Sequence, residues 1–305
     1  MDLHKHKNIF HQYIEQVSSN LKIDPALIEK DYFVFFLLSE LNKEIPGLLF
    51  KGGTCLSSAF HIINRFSEDI DLSLDNEHFG RGKNINANHK VVEVCERLGL
   101  IIKNKEEVVK RSHASFNRYY IEYPSFYESN AIKRNIQLEM AFFQRAYPSE
   151  PKEVNSLIGF FLNNNGGGKV IEQYNLESFT ICVQSLERTF VDKVFAICDY
   201  FERNESTRNS RHLYDVYKIY NKLNIGDYEL KDLIQSVRND RKKNAKAVSA
   251  QDGYKVNETL RKIVDSKFYK NDFETITKAM LIRKIEYDEV ITVLDKIIET
   301  NLFKD

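Results

Sequence analysis

Asp69 and Asp71, two aspartates separated by one isoleucine, are the residues of this chain best placed to do chemistry. They lie in "RFSEDIDLSL", residues 65–74, where polar and apolar residues alternate from Ile70 onward as in a β-strand. Because side chains alternate across a strand, both carboxylates project from the same face. Like charges that close raise each other's pKa unless a cation is present, and Mg²⁺ prefers such oxygen ligands. The pair therefore predicts a magnesium site, the alternative being a solvated strand end.

A third acid is expected nearby, because two-metal sites for phosphoryl transfer usually require more than two carboxylates. The best candidate is Glu139 in "NIQLEMAF", residues 135–142, where it lies on the polar face of a second alternating segment. A neighbouring strand would bring Glu139 beside Asp69 and Asp71. These three residues are the predicted ligands of a two-ion Mg²⁺ site.

A glycine pair, Gly52 and Gly53, follows a short apolar segment and precedes a helix that is predicted to run from near Thr54 to Ile63. Glycines lack the Cβ atoms that would keep a phosphate away from the backbone, and the start of a helix offers free N–H groups. The Thr54 hydroxyl and the Lys51 ammonium group add polar contacts there. We therefore expect residues 51–54 to seat a polyphosphate.

Glycine pair, helix and Asp-x-Asp strand, in this order, resemble the signature of the nucleotidyltransferase superfamily, in which the glycines hold a triphosphate and the carboxylates hold its metals. More narrowly, the segment resembles the first motif of the AbiEii/AbiGii-type abortive-infection toxins, a MenT-like family of nucleotidyltransferases. The pattern is K-G-G-T-x-L, a helix, then R-F-S-x-D-I-D-L. It is matched by Lys51, Gly52, Gly53, Thr54, Leu56, Arg65, Phe66, Ser67, Asp69, Ile70, Asp71 and Leu72.

Other segments extend the resemblance over roughly residues 28–220. "IEKDYFVFFLL" is similar to the family's E-K-D-Y helix, and "LERTFVDKVFAI" and "SRHLYDVYKIY" are similar to two helices further along the chain. The resemblance implies that Lys193 and Asp215 reach the nucleotide site. Ser67, just before Asp69, is interpreted as a loop hydroxyl that bonds the backbone, with a modification site near the bound nucleotide as the functional alternative. His212 and Arg188 depart from the family pattern, which commonly has acidic residues at both places.

The resemblance further implies a bacterial toxin that transfers a nucleoside monophosphate from a nucleoside triphosphate to an acceptor hydroxyl, with the 3′ end of tRNA as the expected acceptor. It also implies a separate antitoxin protein that neutralises the toxin. Two alternatives stay open. One is a nucleotidyltransferase acting on a small molecule, and the other is a nucleotide-binding protein without catalytic power.

Residue by residue, simpler interpretations of the helical segments also exist. The simpler interpretation of Lys193 is a solvated lysine. Arg211 and Asp215 are four residues apart, and their simpler interpretation is an ion pair on a helix surface. Tyr119, Tyr120 and Tyr123 are interpreted as sheet packing rather than base stacking. The basic run "RNDRKKNAK", residues 238–246, indicates an exposed helix or loop, with RNA backbone binding as the functional alternative. These interpretations compete with the family resemblance at each position.

Composition sets wider limits. Lys plus Arg equals Asp plus Glu at 44 each, so a polyanionic partner must be bound by a local patch. The 4 cysteines are far apart without C-x-x-C spacing, which argues against a zinc knuckle or a disulfide scaffold. The sequence shows neither the apolar core of a signal peptide nor a membrane-spanning segment, so we expect a cytoplasmic protein.

The elements that must position these residues predict an α+β fold. Two helices, separated at Asp24 and Pro25, open the chain, and alternating segments predict a nucleotidyltransferase-like mixed sheet with flanking helices, its last strand at "FTICVQ". The glycine-rich segment 163–170 is predicted to be a loop. From Ser185 onward the 3.6-residue period predicts helices. We therefore expect a catalytic domain over 1–180, including the N-terminal helices, and a helical domain over 181–305.

Overall fold

The computed structural model describes residues 1–65, 67, 69–75, 78, 81–127, 134–142, 146–223 and 228–303. The chain divides into two compact units. The first, here called the sheet unit, comprises Met1–Ala59, Glu68–Phe142 and Ser149–Val183. The second, the helical unit, comprises Phe60–Ser67, Phe143–Pro148 and Gln184–Asp305. The division into domains at residue 180 remains our proposal. The two units are discontinuous, because the short segments Phe60–Ser67 and Phe143–Pro148 group with the C-terminal helices.

The core of the sheet unit is a seven-stranded sheet, as the described residues show it. Its strands are β1 Leu48–Lys51, β2 Asp69–Leu74, β3 Ile101–Ile102, β4 Phe116–Glu122, β5 Asn135–Ala141, β6 Ser149–Val154 and β7 Phe179–Gln184. Their order in the sheet is β3-β4-β5-β2-β1-β7-β6. β2 is parallel to β5 and β1 is parallel to β7, whereas β1–β2, β3–β4 and β4–β5 are antiparallel. The predicted mixed sheet is confirmed, and β7 is its last strand as expected.

Helices flank this sheet along the chain. They are α1 Lys7–Leu21, α2 Pro25–Glu44, α3 Gly52–Ser58, α4 Arg81–Leu98, α5 Lys105–Lys110, α6 Leu157–Asn164 and α7 Gly168–Tyr174. The start of α2 follows the sequence signal: the Asp24 carboxylate accepts a hydrogen bond of 2.9 Å from the Ala26 N–H, and Pro25 is the first helical residue. The glycine-rich loop is shorter than predicted, because α6 extends to Asn164 and α7 begins at Gly168.

The predicted helix after the glycine pair is too long. α3 ends at Ser58 rather than continuing to Ile63, and His61 adopts a positive φ of 54°. Beyond this point the backbone of Asn64 accepts a hydrogen bond from Ile282 N–H at 2.8 Å and donates one to the Tyr214 hydroxyl at 3.1 Å. These tertiary hydrogen bonds within the helical unit outweigh the local helical pattern.

The helical unit contains the C-terminal half of the fold. Its helices are α8 Leu186–Glu202, α9 Ser210–Tyr220, α10 Tyr228–Lys242, α11 Val256–Ser266, α12 Lys270–Asp272 and α13 Tyr287–Thr300. A π-helical turn, Phe273–Thr277, follows α12 directly. The three helices that the sequence predicted most clearly, α8, α9 and α13, are all present. None of the described helices is long and apolar enough to cross a membrane.

The E-K-D-Y segment of α2 connects other elements of the sheet unit. Glu29 accepts hydrogen bonds from Phe126 N–H at 2.7 Å and from the Ser125 hydroxyl at 2.6 Å, which fixes the chain that leaves β4. Asp31 accepts a hydrogen bond of 2.6 Å from Leu157 N–H, the first residue of α6. Burial raises the pKa of the Asp31 carboxyl to about 7. Glu29 and Asp31 therefore connect α2 to the chain after β4 and to the start of α6.

The raised pKa of Asp31 predicts a pH dependence of stability. Between the unfolded pKa near 4 and the folded pKa near 7, the folded state keeps a proton that the unfolded state releases, so the free energy of unfolding falls as pH rises through this window. The slope from this group is at most about 1.4 kcal/mol per pH unit. We expect Asp31→Asn to remove it, as measured by urea unfolding from pH 4 to 8.

The matched control is Glu107→Gln, which removes an exposed carboxylate from the same unit. It should leave the slope unchanged. An Asp31→Asn profile parallel to that of the wild type would contradict the prediction.

Candidate active site

The two aspartates of the Asp-x-Asp pair share one face of the sheet. On β2, Ile70 and Leu72 are fully buried, whereas Asp69 and Asp71 are half-buried on the opposite face. This alternation follows from strand geometry. The carboxylates therefore point away from the apolar core beneath the strand.

Glu139 lies opposite Asp71 on the neighbouring strand. β2 and β5 are parallel, and their register pairs Asp69 with Gln137 and Asp71 with Glu139. Residues paired in this way project from the same face of strands about 4.8 Å apart. The strand pairing thus groups the three acidic residues on one patch of the sheet, with Asp71 and Glu139 directly adjacent.

Two basic residues extend this row at its ends. Lys51 on β1 pairs with Asp71, and Arg118 on β4 pairs with Glu139. One row across four adjacent strands therefore carries, in order, a positive, two negative and a positive residue. Opposite charges directly across strands are stabilising, so the two cations offset the repulsion between the central acids.

Arg118 forms the closest described contacts of Glu139. Its Nε and Nη2 atoms each lie 2.8 Å from Glu139 Oε1. Gln137 Nε2 donates a hydrogen bond of 3.0 Å to the same oxygen. Glu139 is therefore held by side chains of two strands, Arg118 of β4 and Gln137 of β5.

The absence of a Cβ atom at Gly52 makes room for the Asp71 side chain, in addition to the predicted role of making room for a phosphate. Its φ is +77°, and a Cβ at this position would overlap Asp71 Oδ2 and approach Asp71 Cγ to 2.7 Å. The predicted reason was room for a phosphate. In the structure, the missing Cβ first makes room for the Asp71 carboxylate, so Gly52 and Asp71 fix each other's position.

Thr54 is buried and positions β2. Its hydroxyl donates a hydrogen bond of 2.6 Å to the backbone carbonyl of Asp69, the first residue of that strand. Gly53 is buried beside it in the first turn of α3. The turn that follows β1 is thus joined to the strand that bears the aspartates, while contact of residues 51–54 with a phosphate remains a prediction.

The acidic patch fits a divalent metal in its donor chemistry, since carboxylate oxygens are the ligands of hard cations such as Mg²⁺. Within the described residues, however, no three His, Cys, Asp or Glu side chains are arranged to hold a metal ion. One oxygen of Glu139 is instead bound to the Arg118 guanidinium. The shell of Asp69, Asp71 and Glu139 around a two-ion site therefore stays a prediction.

A second charged cluster lies within the helical unit and contains Arg65, Lys193 and Asp215. Arg65 donates from Nε to Asp215 Oδ1 and from Nη2 to Oδ2, each at 2.7 Å. Lys193 Nζ donates to Oδ2, also at 2.7 Å. All three side chains are buried, and Asp215 is fully enclosed, so its place is inside the unit rather than on a helix surface.

The electrostatics of this cluster favour ionised groups. Burial by itself would raise the pKa of the Asp215 carboxyl, but the charges of Arg65 and Lys193 outweigh this effect and hold the pKa well below its usual range. Two cations thus share one carboxylate.

One known family matches the part of the sequence that contains the residues of both clusters. The family described as "Nucleotidyl transferase AbiEii toxin, Type IV TA system" matches residues 37–292. The chain belongs to the AbiEii family. It is accordingly a nucleotidyl transferase and a toxin of a toxin–antitoxin system, as the motif resemblance predicted. A comparison with curated protein sequences gives no match.

Two residues that depart from the AbiEii pattern have structural surroundings of their own. His212 stacks on Tyr200, with ring centroids 5.3 Å apart, and burial followed by the charges of Lys193 and Arg211 lowers its pKa, so the ring is neutral. Arg188 is buried, where it donates to Asp192 at 3.0 Å and to the Tyr147 carbonyl at 2.9 Å. Neither side chain substitutes for an acid.

Ser67 is half-buried and lies in the same short segment as Arg65, which groups with the helical unit. Phe66, between them in the AbiEii motif, lies outside the described residues. Nucleotide contact or modification at Ser67 therefore remains a prediction.

The basic run 238–246 is largely paired within the protein. Arg241 contacts Asp199 at 2.6 Å and Asp192 at 3.4 Å, and Lys243 contacts Asp240 at 2.9 Å. Lys242 forms an ion pair with Asp252. These pairs favour the structural interpretation of the run over RNA binding.

The tyrosines of β4 separate by face. Tyr119 is fully buried and Tyr123, just beyond the strand, is nearly so, which agrees with their interpretation as packing. Tyr120 is half-buried on the same face as Arg118, opposite Gln137. The alternation of polar and apolar residues in β4 is the sequence signal that would place Arg118 and Tyr120 on the face of the acidic patch.

The close approach of Gly52 to Asp71 predicts the effect of Gly52→Ala. A left-handed φ costs a residue with a Cβ about 1–2 kcal/mol, and the overlap displaces the Asp71 carboxylate. A displacement of about 1 Å at a reacting centre costs roughly 100-fold in rate. We expect a loss of that size in nucleotidyl transfer with a modestly lower unfolding midpoint.

Gly168→Ala is the matched control, because a Cβ at Gly168 has open space around it. It should retain full transfer activity. Equal activity of the two variants would show that the tight contact at Gly52 has no influence on the site.

The buried cluster of the helical unit predicts a large effect of Asp215→Asn on stability. Removing one partner of a buried ion pair leaves an uncompensated charge and costs about 3–5 kcal/mol. Here both Arg65 and Lys193 lose their shared carboxylate. Urea unfolding at neutral pH measures the change, with Lys222→Ala, at an exposed position just after α9, as the control. A loss below 1 kcal/mol would contradict the prediction.

Proposed function

We propose that this AbiEii enzyme is a Mg²⁺-dependent nucleotidyltransferase that transfers a nucleoside monophosphate from a nucleoside triphosphate to an acceptor hydroxyl and releases pyrophosphate. The proposed acceptor is the 3′ end of tRNA in the cytoplasm, and a separate antitoxin protein would neutralise the enzyme. The family membership carries the reaction class. The remaining details form the proposal.

One observation supports the metal-dependent chemistry above others: Asp71 and Glu139 are adjacent on parallel strands, and Gly52 is shaped to receive the Asp71 carboxylate. Two carboxylates on a half-buried face repel each other unless positive charge balances them. Lys51 and Arg118 at the ends of the row supply part of that charge, and a substrate that arrives with a divalent cation would add to it. This arrangement favours a metal–triphosphate substrate over an uncharged one.

The roles of the residues in the sheet unit follow from their positions. Asp69, Asp71 and Glu139 would hold the two Mg²⁺ ions through their carboxylate oxygens. When bound, these ions would lower the pKa of the acceptor hydroxyl and shield the charge of the triphosphate. Residues 51–54 would contact the triphosphate, with the Lys51 ammonium group, paired with Asp71 across the strands, adding positive charge.

The helical unit would contribute Lys193 and Asp215, together with Ser67 near the nucleotide. We propose that Lys193 neutralises charge on the leaving pyrophosphate. Asp215 orients Lys193 through the 2.7 Å contact to its ammonium group. Arg65 shares Asp215 and, together with Lys193, keeps that carboxylate ionised.

The test is transfer of labelled nucleotide by the full-length enzyme. Purified protein is incubated with each labelled nucleoside triphosphate, Mg²⁺ and total tRNA, and label in RNA is measured on gels. We expect transfer by the wild type and a loss of about 100-fold or more in Asp71→Asn, because the amide would bind less well the Mg²⁺ ion that would stabilise the developing negative charge. Glu150→Gln, which changes an acid on the edge strand β6, is the control.

The outcomes separate the alternatives. Label only in small hydroxylated compounds would replace tRNA by a small-molecule acceptor. Nucleotide binding without transfer to any acceptor, with growth inhibition unchanged in Asp71→Asn, would indicate a nucleotide-binding protein and would overturn the proposal.

A further inference from the structure

Glu139 uses one carboxylate oxygen for its contacts with the described residues. Arg118 Nε, Arg118 Nη2 and Gln137 Nε2 all converge on Oε1, at 2.8, 2.8 and 3.0 Å. Oε2 accepts no hydrogen bond from any residue that the structure describes. The carboxylate is thus held in one orientation by one of its two oxygens.

One donor lies on β5 itself and the other on the neighbouring strand β4. Gln137 lies two residues before Glu139 on the same strand face and opposite Asp69 on β2. Arg118 lies opposite Glu139 on β4, and its guanidinium is 5.6 Å from the centroid of the Phe116 ring. A planar guanidinium with two donors to one oxygen fixes that oxygen more firmly than a single hydrogen bond does.

The ion pair between Arg118 and Glu139 contributes little to the stability of the fold, so its role lies elsewhere. The Arg118 side chain is 43% exposed, and ion pairs at exposed sites add little to stability because water screens them. Side chains that bind ligating carboxylates, by contrast, orient the remaining oxygen toward the metal, and their loss weakens metal binding about 10- to 100-fold.

We propose that Arg118 and Gln137 are positioning residues that hold Glu139 by Oε1 and present Oε2 to the divalent cation of the transfer site. The proposal rests on the proposed metal-dependent function. The rival role for Arg118 is that of a competing cation, which would have to leave before a metal binds. The two roles predict opposite signs for the effect of removing the guanidinium.

Metal affinity tests the sign directly and does not depend on activity. Mn²⁺ is titrated calorimetrically into the metal-free, full-length wild type and into Arg118→Ala, Arg118→Lys and Gln137→Ala. We expect Mn²⁺ affinity to fall about 10- to 100-fold in Arg118→Ala, with partial recovery in Arg118→Lys and a smaller loss in Gln137→Ala. The Mg²⁺ concentration needed for half-maximal transfer should rise in the same order.

Arg111→Ala is the matched control, because Arg111 is an exposed arginine of the same unit that pairs with Glu107 on the same helix rather than with an acid of the patch. It should leave Mn²⁺ affinity unchanged, and all variants should keep the wild-type unfolding midpoint within a few degrees. Tighter Mn²⁺ binding in Arg118→Ala would overturn the proposal in favour of a competing cation, and unchanged binding would reduce the contact to an ordinary ion pair.

Failure of the wider function has a different signature. A wild type that binds no Mn²⁺ would overturn both the positioning role and the metal-dependent reaction. A wild type that binds Mn²⁺ and transfers nucleotide, with an Arg118→Ala variant of equal affinity, would overturn the positioning role alone.

Discussion

The repulsion between Asp71 and Glu139 is the constraint to which the surrounding sheet responds. Their strands are parallel and in register, so the two carboxylates cannot separate without breaking the pairing of β2 with β5. Lys51 and Arg118 flank them in the same row. Gly52 has no Cβ because Asp71 needs that space. A site built in this way holds its carboxylates at fixed strand positions, with a basic residue at each end of the row.

The helical unit contains the opposite arrangement of charge. Arg65 and Lys193 share the single carboxylate of Asp215, and all three are buried. In the acidic patch two acidic residues are adjacent, whereas in this cluster two cations contact one carboxylate. The family membership assigns the chain the reaction class of a nucleotidyl transferase.

Much of the fold was predictable because local patterns carry it. The alternation in β2 and β5 placed the acids on a polar face, and the 3.6-residue period located α8, α9 and α13. Local patterns failed where distant contacts decide. The apolar spacing after Gly52 indicated a helix to Ile63, but the helix ends at Ser58. Beyond it the Asn64 carbonyl accepts a hydrogen bond from Ile282 N–H, and the Asn64 N–H donates one to the Tyr214 hydroxyl. Strand β6 was missed because its sequence, with a proline and three charged residues, lacks alternation.

The sequence by itself determined the reaction class and the identity of the charged residues, because the spacing of glycines and aspartates around one strand, helix and strand is a local property of the chain. Tertiary structure alone decided which charges meet. Arg118 is 21 residues from Glu139 and Arg65 is 150 residues from Asp215, and no sequence pattern joins either pair. Strand register and helix packing fix those distances, since each is set by hydrogen bonds and apolar contacts summed over many residues.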